Sequence, residues 1–306
     1  MQQLSIKISI FFITLIISFG VLSSAASAKN LTVVGFNTES GDADPEFIAQ
    51  TYIAPLEKVD IWGFSEVQND LWALKFEEGA EVGESDNFEH ILGSTGGSDR
   101  LAIVYNNNRL ELIEVTELDN INVGGRVRAP MVAHFRFRSD ETEFLFMVNH
   151  LYRSSASGRL EQAILLNDWA AQQNLPIIAI GDYNFDWNIS SETGNESFAA
   201  FVEPETYRWI KPTNLITTIC GFNSILDFTF TVNEASNWPG FSEVLYEADY
   251  CPDNNQRSDH RPVLARFTIP EDENDNNTAE QALVKVENLE NELAELKQLI
   301  QNSLDN

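Results

Sequence analysis

Apolar positions along the chain fall into short dense runs separated by turn residues. Leu31-Thr32-Val33-Val34-Gly35-Phe36 is rich in β-formers and reads as a buried strand. Residues 45–59 read as a helix, with Asp44 at the N-cap and Pro45 in the first helical position. A second strand runs from Val59 to Phe64 and ends at Glu66. Further strands are predicted over 101–105, 110–115, 131–137 and 143–149, the last two forming a hairpin that turns near Ser139-Asp140. Residues 158–174 carry the strongest helical periodicity, with Leu160, Ile164, Leu165 and Trp169 along one face. The short apolar run 176–181 suits a fully buried strand, and strands over 225–232 and 263–269 complete the set. Because strands arrive both as helix-linked units and as hairpins, the pattern predicts mixed sheets in a layered α/β sandwich.

Both ends of the chain break this pattern. Lys7 precedes an almost wholly apolar run to Leu22, and Ala26-Ser27-Ala28 offers the small residues that a signal peptidase reads. That run is shorter than the roughly 20 apolar residues of a membrane anchor. Residues 1–28 therefore read as a signal peptide, with no transmembrane segment in the mature chain and a secreted product, extracellular or periplasmic. Residues 29–270 form one domain, 271–280 an acidic linker, and 281–304 a short helix. In that helix Val286, Leu289, Leu293, Leu296 and Ile300 alternate spacings of three and four, an a/d seam flanked by Glu and Lys. It predicts either a homo-oligomer through a coiled coil or a helix folded back on the domain.

Composition narrows the partners. The 306-residue chain has 19 Lys and Arg against 47 Asp and Glu, a formal charge of −28, and loses one more cation with the leader. Such acidity argues against broad electrostatic capture of nucleic acid. Cys220 and Cys251 are the two cysteines, and export into an oxidising compartment predicts one disulfide between them.

The polar residues of interest share one placement, at or beside the ends of predicted buried strands. Asn37 follows the first strand, Glu66 the second, and His150 closes the strand 143–149. Asp182 and Asn184 follow the run 176–181, and Asp259-His260 precede the last strand. Any one of them is more simply a turn residue, a solvated charge or a packed histidine. Together they mark one edge of a sheet, where α/β proteins assemble sites.

The ordered motifs Gly35-Phe36-Asn37, Gly63-Phe64-Ser65-Glu66-Val67, Val148-Asn149-His150-Leu151, Gly181-Asp182-Tyr183-Asn184 and Ser258-Asp259-His260-Arg261-Pro262 resemble those of the endonuclease/exonuclease/phosphatase superfamily. The resemblance spans residues 31–269. It implies a four-layer α/β sandwich of two mixed β-sheets flanked by helices, to which the tail adds its coiled-coil helix. It also implies a Mg²⁺-dependent phosphoric ester hydrolase, with Mn²⁺ or Ca²⁺ as alternatives. Asn37, Glu66 and Asp259 would be the metal residues, offering hard oxygen ligands. Asp182 and Asn184 would orient the attacking water, and His260, paired with Asp227 in Ser224-Ile225-Leu226-Asp227-Phe228, would contact phosphate or act as base. The base is left open between Asp182 and His260. His150 would donate to the phosphate, with Arg128 of Arg128-Ala129-Pro130 and Tyr105 as further phosphate contacts. Ser65 stands where relatives often have Gln, and Tyr183 where Phe is common.

The ester is less legible. Arg126, Arg128, Arg136, Arg138, Arg153 and Arg159 crowd the sequence around His150, either as a phosphate-tracking patch or as solvated charges among many acids. The loop Ser236-Asn237-Trp238-Pro239-Gly240-Phe241 reads as a membrane-docking hairpin or as a loop pinned by the disulfide. The leading expectation is an extracellular nuclease acting on phosphodiester bonds of nucleic acid. The alternative is a sphingomyelinase-like phospholipid phosphodiesterase or a small-molecule phosphatase. A non-catalytic binding module on a coiled-coil oligomer would predict broken motifs, and none is broken.

Overall fold

The computed structural model describes residues 29–84, 86–246, 250–270, 283–291, 293–294 and 297–298. The predicted leader at 1–28 and the linker at 271–280 lie outside the described residues. Two units separate by their contacts, and the larger one, Lys29–Pro270, carries every strand.

The chain opens with β1 (Lys29–Asn37), α1 (Pro45–Ile48), β2 (Ile61–Val67), α2 (Asp70–Glu84), β3 (Phe88–Leu92) and β4 (Arg100–Asn106). It continues through β5 (Leu110–Glu117), β6 (Met131–Phe137), β7 (Glu143–His150), α3 (Ala156–Ala170) and β8 (Ile177–Asn188). The last part comprises α4 (Glu196–Val202), β9 (Arg208–Trp209), β10 (Ser224–Val232), β11 (Gly240–Val244) and β12 (Val263–Ile269). Asp44 caps α1, its side chain accepting from Glu46 N and Phe47 N. That helix stops far short of residue 59, because it passes into one π-helical stretch, Ala49–Ile53, and the chain turns back to start β2.

Two six-stranded sheets result, ordered β11-β12-β1-β2-β4-β3 and β5-β6-β7-β8-β10-β9. Each has one parallel pair at its centre, β1 with β2 and β7 with β8, and antiparallel neighbours elsewhere. A parallel pair requires a crossover connection, supplied by the helical 45–53 segment in one sheet and by α3 in the other. The sheets pack through Leu31, Val33, Ile61, Ile103, Phe135, Phe146, Val148 and Ile180, while α1 and α2 cover one outer face and α3 and α4 the other. The layers are helix, sheet, sheet, helix. The two sheets approach closely at Gly63, where a Cβ would lie 2.5 Å from Ile180 Cδ1 and 2.7 Å from Val148 Cγ2.

Two expectations are corrected, and some elements were not foreseen. The buried face of α3 is Gly158, Arg159, Gln162, Ala163, Leu166, Asn167 and Ala170, whereas Ile164 is 48% exposed. Its polar members suit burial because backbone groups satisfy them: Gln162 donates to Ile121 O, and Asn167 to Ala163 O, Ala200 O and Phe201 O. The helix α2 and the strand β3 have no predicted counterpart. The 236–241 loop is not a free hairpin: Trp238 is buried against Phe267, and Gly240 starts an edge strand on β12.

In the tail, residues 283–291, 293–294 and 297–298 are helical, and Val286, Leu289 and Leu293 are more than half exposed at 52%, 58% and 53%. Leu296 and Ile300 lie outside the residues whose side chains are described. Among the described residues no helix is long and apolar enough to cross a membrane.

Candidate active site

The topology decides where the polar residues meet. Because β1 pairs parallel with β2, and β7 with β8, Asn37, Glu66 and His150 sit at C-terminal strand ends on one edge of the sandwich, and Asp182, midway along the long β8, is in register with His150. The partners β10 and β12 run antiparallel, so they bring their N-terminal ends to that edge. Asp227 is in register with Asp182, and Asp259-His260 enter just before β12 pairs with β1. Local irregularities then aim the side chains. Glu66 has φ 59° beside a register shift between Phe64 and Val67, and Asn184 has φ 51°. Left-handed backbone at such residues costs on the order of 1–3 kcal/mol each and clusters at functional sites.

A dense network follows. Asn37 Nδ2 donates to Glu66 Oε1 at 3.0 Å and to Asp182 Oδ2 at 3.1 Å. Its own oxygen accepts from Glu39 N at 3.1 Å, so Asn37 braces two carboxylates. Asn184 N donates to Asp182 Oδ1 at 2.9 Å, and Asn184 Nδ2 to Leu151 O at 3.2 Å. Asp182 Oδ2 lies 3.4 Å from His150 Nε2 and 3.8 Å from His260 Nε2. His260 Nδ1 is 2.8 Å from Asp227 Oδ2, with both side chains buried. Asp227 is itself fixed by the Thr218 hydroxyl, which accepts from Asp227 N at 3.2 Å and from Leu226 N at 2.8 Å.

The electrostatics follow from burial and crowding. Burial opposes charge on His260, but Asp227, then Asp182 and Asp259, outweigh it and raise the imidazole to about 10. Burial pushes the Asp227 carboxyl up, against the pull of His260. Glu39 is pushed up to about 7, first by burial and then by Asp259, whose backbone N–H it accepts at 2.9 Å. Asp259 is also raised, by burial first, with Glu66 adding and His260 opposing. Acids crowded in this way describe a cleft short of positive charge.

On the opposite wall, Arg128 Nε donates to Asp99 Oδ1 at 3.1 Å, Arg128 Nη2 pairs with Asp99 Oδ2, and the same Nη2 lies 3.3 Å from His150 Nε2. Asp99 Oδ1 is 3.6 Å from His150 Nδ1. Burial would raise Asp99, but His150 and Arg128 hold it below the usual carboxylate range.

Nine of the ten candidate residues meet here: Asn37, Glu66, Arg128, His150, Asp182, Asn184, Asp227, Asp259 and His260. Tyr105 does not. It lies opposite Ile61, at the far end of β2 from Glu66, because β4 runs antiparallel to β2. Its hydroxyl donates to Glu89 at 2.6 Å and its ring packs on Phe135. The arginine patch divides for the same reason. Arg136 pairs with Glu143 and Glu111, and Arg138 donates to Asn107, all at the edge opposite His150. Arg159 is buried, donating to Tyr152 O and Arg153 O. Arg153 is near enough to Asp259 to pull its carboxyl down. Two site residues went unread in the sequence. Glu39 stands two positions after Asn37, and Asp99 precedes Arg100 of β4 in a polar loop that carries no motif.

The residues fit a divalent cation. Glu66, Asp259 and Glu39 are partly exposed and offer hard carboxylate oxygens, and the upward pull on Glu39 and Asp259 is what an added cation would relieve. Among the described residues, the groups with the spacing of metal ligands are Glu66 with Asp99 and His150, and Asp182 with Asp227 and His260. Arg128 is in contact with the first group and the His260 ring is part of the second. The Cys220–Cys251 disulfide is formed, and Cys220 N donates to Asp259 O at 2.8 Å, so the bridge braces the segment bearing Asp259 and His260.

No protein-family model and no curated protein matches the sequence. Solved structures do match. An endonuclease/exonuclease/phosphatase family protein from Bacteroides thetaiotaomicron is 20% identical, with a TM-score of 0.61 over 80% of this chain and 99% of its own. The mannosyl-6-phosphatase of Bacteroides thetaiotaomicron VPI-5482 is 20% identical, with a TM-score of 0.57 over 78% of this chain and 100% of its own. D. rerio TDP2, solved with a single strand DNA product, is 13% identical, with a TM-score of 0.60 over 78% and 99%. This chain has the fold of the endonuclease/exonuclease/phosphatase superfamily.

Proposed function

We propose that the protein is a divalent-metal-dependent phosphoester hydrolase that grips one phosphate at the floor of an acidic cleft. What carries this is the convergence of Asp182 with both His150 and His260 beside a wall of carboxylates. Glu66, Asp259 and Glu39 would hold the ion, Mg²⁺ or Mn²⁺, with Ca²⁺ accepted by the same oxygens, and Asn37 would keep Glu66 in place. Bound there, the ion supplies Lewis-acid polarisation of the phosphoryl group and charge stabilisation at the leaving oxygen.

The protein's own groups do the rest. Asp182 takes the proton of the attacking water; Asn184 N and Asn37 Nδ2 fix its two oxygens for that task. The water oxygen bonds to phosphorus as the ester P–O bond breaks opposite, and the departing alkoxide takes a proton from solvent. Held cationic by Asp227, His260 neutralises charge on the phosphoryl oxygens instead of serving as base. His150 and Arg128 contribute from the other wall, with Asp99 fixing the arginine.

The working compartment is outside the cytoplasm: the leader at 1–28 and the disulfide both suit an oxidising environment. For the ester, single-stranded nucleic acid leads, as TDP2 was solved with such a product. A small phosphate monoester is the second reading, favoured by the scarcity of cations near the cleft, where Arg153 and Arg128 stand without Arg136 and Arg138. Duplex DNA is disfavoured for the same reason. The test is hydrolysis of single-stranded DNA, duplex DNA, RNA, sphingomyelin and a soluble phosphomonoester, each with Mg²⁺, with Mn²⁺ and with EDTA. Cleavage of at least one ester that EDTA abolishes and Mg²⁺ restores is expected. Undiminished cleavage in EDTA, or none of any ester with metal, would sink the proposal.

A further inference from the structure

The loop joining β3 to β4 belongs to the first sheet, yet a residue of the second sheet holds it. Glu117, the last residue of β5, receives the N–H and the hydroxyl of both Ser94 and Thr95. The backbone bonds measure 3.1 Å and 3.0 Å from Ser94 N and 3.2 Å from Thr95 N, and the Thr95 hydroxyl donates at 2.9 Å. These donors occupy the lone-pair positions that an ionised carboxylate offers. Burial alone would raise the Glu117 carboxyl, and the Ser94 and Thr95 hydrogen bonds hold it below the usual range instead.

The same loop reaches the phosphate wall by two routes. The Thr95 hydroxyl also accepts from Ala129 N at 2.9 Å, which fixes the backbone next to Arg128. Farther along, Asp99 N donates to Gly96 O at 3.0 Å in a tight turn where Gly96 has φ 94°. A Cβ at Gly96 would lie 2.8 Å from Arg128 Cγ, so the turn is shaped against the arginine. Asp99 then clamps the guanidinium and faces His150.

We propose that Glu117 is a positioning residue for phosphate recognition: it touches no reacting group, and by holding Ser94 and Thr95 it sets the loop that puts Asp99 onto Arg128 and His150. This deepens, and rests on, the phosphoesterase reading.

The test compares Glu117→Ala, Glu117→Gln, Asp99→Ala and the double variant E117A/D99A with the wild type. The readouts are kcat, KM and inhibition by inorganic phosphate on the best ester of the panel, with melting curves to confirm folding. E117A is expected to lower kcat/KM at least tenfold and to weaken phosphate inhibition in parallel. E117Q should recover most of the loss, since its amide oxygen still accepts from the two backbone N–H groups. In the D99A background, E117A should lose clearly less than in the wild type, because only the route through Thr95 and Ala129 is left for it to disturb. Hydrogen exchange of residues 94–99 should quicken in E117A, a readout that needs no catalysis. If E117A does not fold, Thr95→Val removes the hydroxyl that accepts from Ala129 N and donates to Glu117, and should still lose severalfold. An E117A enzyme within twofold of wild type, or one whose loss recurs in full on D99A, overturns the inference while leaving the phosphoesterase reading intact. An inactive wild type removes both.

Discussion

Replacing Asp227 with Asn is the sharpest test of how the His260 pair works. The substitution keeps size and an acceptor oxygen for His260 Nδ1, now 2.8 Å from the carboxylate, and removes only the charge. His260 is raised from 6.5 to about 10, which at about 1.36 kcal/mol per unit is a preference of about 5 kcal/mol for the charged ring. Asp227 is the largest favourable contributor to it, and burial opposes it. With Asp227 neutral the largest support for the charged ring is gone while burial still opposes it, so the imidazole falls below its wild-type value of about 10, with Asp182 and Asp259 still holding it up in part. At any pH above the lowered value, each further unit of downward shift costs about tenfold in the protonated fraction, and so in kcat/KM if the cation is the active form. The sign follows from which form works: the wild type keeps its activity on the alkaline side until pH approaches 10, and D227N loses it at lower pH. Toward the acid end of the range the two enzymes should converge. The assay is kcat/KM against pH from 5.5 to 9.5 at saturating metal. A D227N profile that falls equally at every pH would refute the cationic role, and one with an unmoved alkaline limb would show that Asp227 does not set the charge.

Other outcomes follow from the same geometry. Asp182→Asn should lower kcat by at least a hundredfold with an unchanged melting curve, since Asn cannot accept the water's proton; near-wild-type turnover would remove Asp182 as base. The disulfide spans 31 residues of sequence, for which chain entropy gives about 4 kcal/mol. The double variant C220S/C251S should therefore melt roughly 8–16 °C lower, and a shift under 3 °C would contradict that figure. For the tail, light scattering on the full chain and on a chain ending at residue 270 should show a loss of assembly on truncation. Two equal monomers would retire the coiled coil.

Much of the site was legible because its chemistry is local. Gly181-Asp182-Tyr183-Asn184 and Ser258-Asp259-His260 state their residue types and their strand ends within a few positions. Strand existence was similarly plain, as in 131–137 and 263–269, where the predicted and observed bounds agree. Helix faces were not. The face of α3 reads as Leu160, Ile164, Leu165 and Trp169 because apolar residues fall there, yet the helix buries Gln162 and Asn167, whose partners come from distant backbone. Burial of a polar side chain depends on what it meets, and periodicity carries no word of that.

By itself, the sequence determined most of the strands and the Cys220–Cys251 pairing, and it named ten candidate residues of which nine come together. All of these rest on short-range pattern and on residue chemistry. Tertiary structure alone decided direction and company. Tyr105 and Arg136 sit on strands as good as any other, but antiparallel pairing carries them to the edge away from His150. Asp99 and Glu117 carry no motif, and they matter because two sheets bring residues 94–99 against the end of β5. A strand's polarity within its sheet is set by long-range pairing, and that pairing decides which residues face the same phosphate.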